Sequence, residues 1–312
     1  MGLMKRLGLV LFLISMGVVF AWARWADYKT NRDWKTVEQL VGYPGQAEGD
    51  GFKITVPRYD LNVLVHGSLV DSRAGLASWF AFKPLPRGSF LSGDLVLTDA
   101  EVPRVEAQLA SSQMTLTALY RPFNGETPGV ERISFMSQGA RVLLAQEARA
   151  LLAATTMPLA VSPATTSPLS PAQIAWGLPL EKSLGPGRWI GGNLTFSFVL
   201  AEPVTEANIE LPSYIGLETM LHFQPEGKQA KAYGEWVLTQ AEAQKVVGSL
   251  MENHIDITGT HSNLIPQSPS MVYVDFWAQG DASKLARSFK EALRQTQLVG
   301  WTPGSQSETK QP

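Results

Sequence analysis

Four histidines and no cysteine leave this 312-residue chain few groups for nucleophilic or metal chemistry. His66 and His222 lie in apolar, alternating stretches and His254 at a turn between a helical and an extended run, settings that suit packed or solvated imidazoles. His261 remains, and Asp275 follows it in the apolar stretch Met271–Trp277. Along Met271–Trp277, Asp275 shares a face with Met271, Tyr273 and Trp277. Val272, Val274 and Phe276 point the other way, so this strand is expected between two apolar layers. His261 is expected on one face with Ile255 and Ile257. If the two strands are neighbours, His261, Asn263, Tyr273, Asp275 and Trp277 would flank a pocket with aromatic walls and a few polar groups, the usual form of a small-ligand site. The aromatic pair would suit a sugar or another flat apolar face. A hydrogen-bonded structural His261 is the competing explanation. Arg58 and Asp60, two apart on one strand face, offer an anion site or, more simply, an ion pair. No Gly-x-Ser-x-Gly, phosphate loop, His-Glu-x-x-His or dinucleotide fingerprint occurs.

The elements that must position these residues are written twice. Sliding the chain by 141 residues without a gap lays Gly75–Ala145 onto Gly216–Ala286 with 19 identities in 71 positions. Gly93 matches Gly234, and Val96-Leu97-Thr98 matches Val237-Leu238-Thr239. Each Thr is followed three residues later by Glu101 or Glu242, the capping-box spacing that starts a helix. Val102, Val105 and Leu109, and in the second copy Ala243, Val246 and Leu250, then mark one buried helix face. Further helices are expected over Trp34–Val41, Arg141–Ala154 and Ile174–Leu184, and one capped by Asp281. Alternation marks strands at Phe52–Val56, Leu61–Val65, Leu76–Phe82, Ser89–Thr98, Met114–Tyr120 and around Ile133 and Phe135. Leu194, Phe196 and Phe198 begin the second copy one residue out of step with the first. The expected fold is α+β: two tandem homologous repeats, each a mainly antiparallel sheet covered by two helices.

At the start of the chain, Lys5 and Arg6 precede an uncharged apolar run of 17 residues, Leu7–Ala23, with a small-x-small ending at Ala21-Trp22-Ala23. Residues 1–23 therefore read as a signal peptide or an uncleaved membrane anchor, with the body sent across the membrane to the periplasm or extracytoplasmic face. The expected order after it is a connecting segment over 24–50, repeat 1 over 51–154, a Pro/Ser/Thr-rich connector over 155–192, repeat 2 over 193–297 and a polar tail over 298–312. Without residues 1–23 the charge balance is 24 basic against 28 acidic residues, which makes nucleic acid a poor partner. The absence of cysteine excludes disulfides, thiolate metal sites and a lipidated Cys.

From Gly51 through "PRYDLNV", "GLASWFAF", "GDLVLTDAEVPRVEAQL" and "TLTALY", and again in "GEWVLTQAEAQKVVGSLMENHIDITGTHSNL" with "VYVDFWAQGDASKLARSFKEAL", the chain resembles the LppY/LpqO-like family of exported bacterial proteins of unassigned function. That resemblance implies a His-x-His after one strand and a further His before Phe-Trp. Here the three positions are His261, Asn263 and Asp275, while the first copy has Tyr120, Pro122 and Ser134. The family pattern implies imidazoles converging on a divalent metal. His261 and Asp275 are what remains of it, short of the three protein ligands that catalytic zinc sites keep.

The sequence thus supports an exported cell-envelope protein that binds an unknown small ligand or envelope component at a single site in repeat 2, with no required cofactor. Two alternatives differ in class. One is a metal-dependent hydrolase using His261 and Asp275, and the other is a structural or protein-interaction module marked by an exposed apolar patch. Because Tyr120, Pro122, Ser134, Arg132 and Met136 stand at the first copy's counterpart positions, that copy is expected to be structural.

Overall fold

The computed structural model describes residues 34–157 and 168–300. The apolar run at the N-terminus lies outside them. Among the described residues no helix is long and apolar enough to cross a membrane.

Repeat 1 forms a six-stranded antiparallel sheet from β1 (Gly45–Glu48), β2 (Gly51–Pro57), β3 (Ala77–Pro84), β4 (Ser89–Thr98), β5 (Thr115–Tyr120) and β6 (Val130–Gly139), in the order β1-β2-β3-β4-β6-β5. Repeat 2 builds the same sheet from β7 (Arg188–Ile190), β8 (Asn193–Leu200), β9 (Glu218–Glu226), β10 (Gln229–Thr239), β11 (Asp256–His261) and β12 (Met271–Asp281), in the order β7-β8-β9-β10-β12-β11. The registers match at the 141-residue offset: Phe80 pairs with Gly93 as Leu221 pairs with Gly234, and Gly93 with Phe135 as Gly234 with Phe276. The expected slip is present upstream, since Ile54 opposes Phe80 while Phe196 opposes Leu221. The two glycines are retained for lack of room: a Cβ at Gly93 would collide with the Phe135 ring, and one at Gly234 with the Met220 carbonyl.

Each sheet has one face covered by three helices, not two. α1 (Trp34–Val41), α2 (Val102–Ala110) and α3 (Arg141–Ala153) cover repeat 1; α4 (Pro171–Leu184), α5 (Gln240–Glu252) and α6 (Ala282–Leu293) cover repeat 2. The stretches expected to be connectors supply the extra helix of each layer, because Val37 and Val41 bury against Phe52 and Phe82 and Leu180 and Leu184 against Leu194 and Phe196. The start of the stretch expected to be a polar tail is also drawn in, as Leu298–Gly300 pairs with β8.

Leu61–Val65 departs from expectation. It does not pair with β2; only Leu64–Val65 is extended, joined to Ser68–Leu69 and Glu126–Thr127 in a separate small sheet. Its Val63 and Val65 serve another core, with Val96 of repeat 1 and Tyr233 and Trp277 of repeat 2. His66 belongs to the tight turn of this small sheet, at φ 50°, and not to a strand.

The second capping box forms as expected: the amide and hydroxyl of Thr239 donate to Glu242 at 2.9 and 2.7 Å, and α5 starts at the next residue. Thr239→Ala should lower stability by about 1 kcal/mol in urea unfolding, and an unchanged midpoint would mean that the hydroxyl does not hold this helix start. In repeat 1, Thr98 makes the same bonds to Glu101, yet α2 begins only at Val102. Pro103 explains the delay, since it has no N–H for the carbonyl four residues earlier.

The uncovered faces of the two sheets are turned towards each other. Ala81, Phe90 and Met136 of repeat 1 share a core with Val237 and Tyr273 of repeat 2. The contacts are reciprocal: Thr258 donates to the Pro122 carbonyl at 2.6 Å, and the Leu264 amide donates to the carbonyl of Thr117, the counterpart of Thr258, at 2.7 Å.

Candidate functional site

Between the two sheets lies a cavity of about 970 Å³ lined by both repeats. Its floor is set by β4, β5 and β6 on one side and β10, β11 and β12 on the other. One local feature aims the residues. Both edge strands carry a one-residue bulge, at Thr117 between Leu116 and Ala118 and at Thr258 between Ile257 and Gly259. The extra residue reverses the strand's parity beyond it. Ile257 therefore packs with the helix-side core, while His261 opposes Tyr273 on the cavity side. The expectation that His261 shares a face with Ile257 fails for this reason.

The His261 ring is stacked between Tyr120 of repeat 1, 3.7 Å between centroids, and Tyr273 of repeat 2, 4.8 Å. Its Nε2 lies 4.0 Å from Glu235 Oε2 and its Nδ1 lies 4.0 Å from Asp275 Oδ2. Neither distance is a hydrogen bond. His261 Nδ1 and Asp275 Oδ2 are both buried without a partner among the described residues. One donor atom each from Glu235, His261 and Asp275 fall within 4.8 Å of one another, a group that could hold a metal ion.

Repeat 1 supplies the facing half. Arg132 donates to Asp94 through Nε at 2.7 Å, with Nη2 at 2.6 Å, and Ser134 donates to the same carboxylate at 2.7 Å. The Tyr120 hydroxyl lies 3.4 Å from both Asp94 and Glu235 and bridges the two halves. The site is therefore not confined to repeat 2. Asp94 is the counterpart of Glu235, Tyr120 of His261, Ser134 of Asp275 and Arg132 of Tyr273, so the copy expected to be structural provides half of the cluster.

Burial governs the charges. It lowers His261 to about 3, with a smaller push from Arg132, so the imidazole is neutral near pH 7. Burial raises Glu235 to about 7, against the pull of Arg132. Asp275 is raised well above the usual carboxylate range by burial and then by Glu235. A neutral imidazole and two carboxylates that hold protons against burial form a site that would release protons on taking up a cation.

Of the remaining sequence candidates, Asn263 lines the cavity and donates to the Tyr273 hydroxyl at 3.3 Å. Trp277 does not line it; the ring stacks on Tyr233 at 5.7 Å and meets Phe123 edge-on, and so serves the core between the sheets. His222 faces the cavity and is hydrogen-bonded to Thr195 at 2.9 Å. Arg58 and Asp60 form the plain ion pair, shared with Glu101. Glu235, Asp94 and Arg132 were missed by sequence reasoning. The available signal was an acid directly after the shared glycine in both "GDLVLT" and "GEWVLT", each followed by three apolar residues.

No curated protein matches the chain. Two solved structures resemble it at 10% identity: the trimeric bacterial microcompartment shell protein PduB, with TM-score 0.21 over 84% of this chain and 98% of that one, and EtuB from Clostridium kluyveri, with TM-score 0.20 over 84% and 96%. Likeness at this level carries no argument about fold or function. A family model does match, over residues 35–154 and 181–295, one segment for each repeat, and the chain belongs to the family described as Domain of Unknown Function (DUF1259).

Proposed function

We propose that this protein is an exported, LppY/LpqO-like cell-envelope protein that binds a small molecule in the cavity between its two repeats. The observation that carries the reading is the pair of buried, partnerless atoms, His261 Nδ1 and Asp275 Oδ2, facing each other at 4.0 Å on the cavity floor. A buried polar atom without a partner is rare in a native protein and needs an explanation, which a group bound in the adjoining cavity would supply. A volume of about 970 Å³ is at the upper end for small-molecule sites. Export rests on Lys5, Arg6 and the apolar run after them.

The test is a thermal-shift screen of small molecules against wild type and Ser92→Trp, which puts a bulky ring into the cavity from β4 and leaves Glu235, His261 and Asp275 in place in the sequence. Ligands of the cavity should stabilise wild type, by about 2.7 kcal/mol at a hundred times Kd, and lose that effect in the variant. Stabilisers that act equally on both proteins would place the binding elsewhere and end this reading.

A metal-dependent hydrolase is the second reading, favoured by the Glu235, His261 and Asp275 group. Its spacing counts against it. Ligands of a tetrahedral zinc lie about 3.3 Å apart, whereas here His261 approaches each carboxylate only to 4.0 Å, and through a different ring nitrogen for each. Stoichiometric metal in purified protein, lost in both His261→Ala and Asp275→Ala, would favour the hydrolase.

A further inference from the structure

The two repeats answer the same question differently, and the comparison names the chemistry of the ligand, granted the binding role proposed above. In repeat 1 the acid on the inner strand, Asp94, is met by the guanidinium of Arg132 at 2.7 and 2.6 Å. In repeat 2 the counterpart acid is Glu235, and the position of Arg132 is taken by Tyr273, whose hydroxyl is turned to Asn263 and Gln267. The carboxylate count rises as the cation disappears, because Ser134 of repeat 1 is replaced by Asp275. Repeat 1 thus carries its own N–H cation, and repeat 2 has the acids without one.

Distances point the same way. A nitrogen that donates to three acceptors at about 2.8 Å in tetrahedral directions holds them about 4.6 Å apart. One donor atom each of Glu235, His261 and Asp275 lies within 4.8 Å of the others, and His261 is 4.0 Å from Glu235 through Nε2 and 4.0 Å from Asp275 through Nδ1. A group of that span accommodates a hydrogen-bonded N–H donor. The two partnerless atoms are both placed to accept, provided that the His261 proton sits on Nε2, towards Glu235. Beside this corner the cavity is lined by Trp79, Phe90, Met136, Tyr214 and Met220, an apolar wall for the rest of the molecule.

We propose that the Glu235, His261 and Asp275 corner binds the cationic N–H head group, a primary ammonium or a guanidinium, of a small molecule with an apolar body, in the role that Arg132 plays for Asp94. Binding is measured by calorimetry on the full exported chain in chelator at pH 8, with four probes that share one body: 2-phenylethylamine, 2-phenylethylguanidine, 2-phenylethanol and the N-trimethyl derivative of the amine. The amine or the guanidine should bind at least about tenfold more tightly than the alcohol and the trimethyl compound, and which of the two is tighter identifies the head group. Asp275→Asn and Glu235→Gln should each weaken it about tenfold or more, with cooperative thermal unfolding as the folding control. Equal affinity for the alcohol or the trimethyl compound overturns the proposal, as does unchanged affinity in both variants, absence of binding by amine and guanidine alike, or stoichiometric zinc binding without amine binding when chelator is omitted. If cavity ligands from the screen are acids or neutral molecules and are lost in Ser92→Trp, the binding role stands and the cationic head group falls.

Discussion

Arg58→Ala should destabilise the protein by about 3–5 kcal/mol, the range for breaking a buried ion pair by removing one partner. The Arg58 side chain is fully buried and donates to Asp60 at 2.8 and 2.9 Å, to Glu101 at 2.9 and 3.2 Å, and to the Val96 carbonyl. Glu101 also accepts the amides of Thr98 and Thr156 at 2.7 and 2.6 Å. A single carboxylate thereby ties the end of β4 to the turn that follows α3. Burial alone would raise the Glu101 pKa, but the Thr156 and Thr98 amides and Arg58 outweigh it and bring it down to about 2. The folded pKa is below the unfolded one, so this contribution, about 3 kcal/mol, is complete above pH 4.5 and lost as pH falls through about 2. Repeat 2 provides an internal control. There Glu242 accepts Thr239 and Gln297 amides at the matching positions but has no buried arginine, since Leu200 stands where Arg58 would be. Urea unfolding should therefore show Glu101→Gln costing more than Glu242→Gln. Equal losses, or a loss under about 1 kcal/mol for Arg58→Ala, would mean that the hub adds nothing beyond the helix caps.

Glu235→Gln should act in the opposite direction and stabilise the ligand-free protein. Burial lifts the Glu235 pKa from its usual 4.5 to about 7, so the folded state holds this proton more tightly than the unfolded chain. Stability therefore falls as pH rises from about 4.5 to 7, and the penalty is complete above that range. The shift corresponds to about 3 kcal/mol; with the side chain 27% exposed, solvent screening trims this to about 2 kcal/mol. The glutamine variant should gain that amount at pH 8 in chelator and almost nothing at pH 4. His261, lowered to about 3, has the opposite slope between about 3 and 6.5 and is common to both proteins, so it cancels from the comparison. Stability gained by removing a site residue is the usual mark of a group kept for binding. A destabilised variant at pH 8 would show that Glu235 is held for structure.

How far the site could be read from the chain depended on local regularity. The faces of Met271–Trp277 followed from alternation because β12 is regular and buried on both sides: Val274 and Phe276 meet the helices, and Tyr273 and Asp275 meet the cavity. The face of His261 did not follow, because a bulge of one residue at Thr258 leaves no mark in composition. Trp277 was on the correct face and still not in the cavity, since depth along a strand is set by what crosses it, here Phe123 and Tyr233. Arg132 and Asp94 were illegible for a different reason. They bond chiefly to each other, 38 residues apart on different strands, and the absence of a histidine at the positions matching His261, Asn263 and Asp275 made repeat 1 look purely structural.

The stacking of Tyr120 on His261 has a further consequence. These two residues are counterparts, and a residue that touches its own counterpart marks the axis of an isologous interface. The chain is in effect a homodimer joined end to end, with an uncovered sheet face that one repeat could not keep from water alone. In an unlinked dimer, both partners must mutate together: the axis would carry two tyrosines or two histidines, and two arginines or none. Joining the copies in one gene removes that constraint and keeps the partner at high effective concentration. With the copies joined, one side can carry Arg132 and Ser134 while the other carries Tyr273 and Asp275, the asymmetry that makes the pocket.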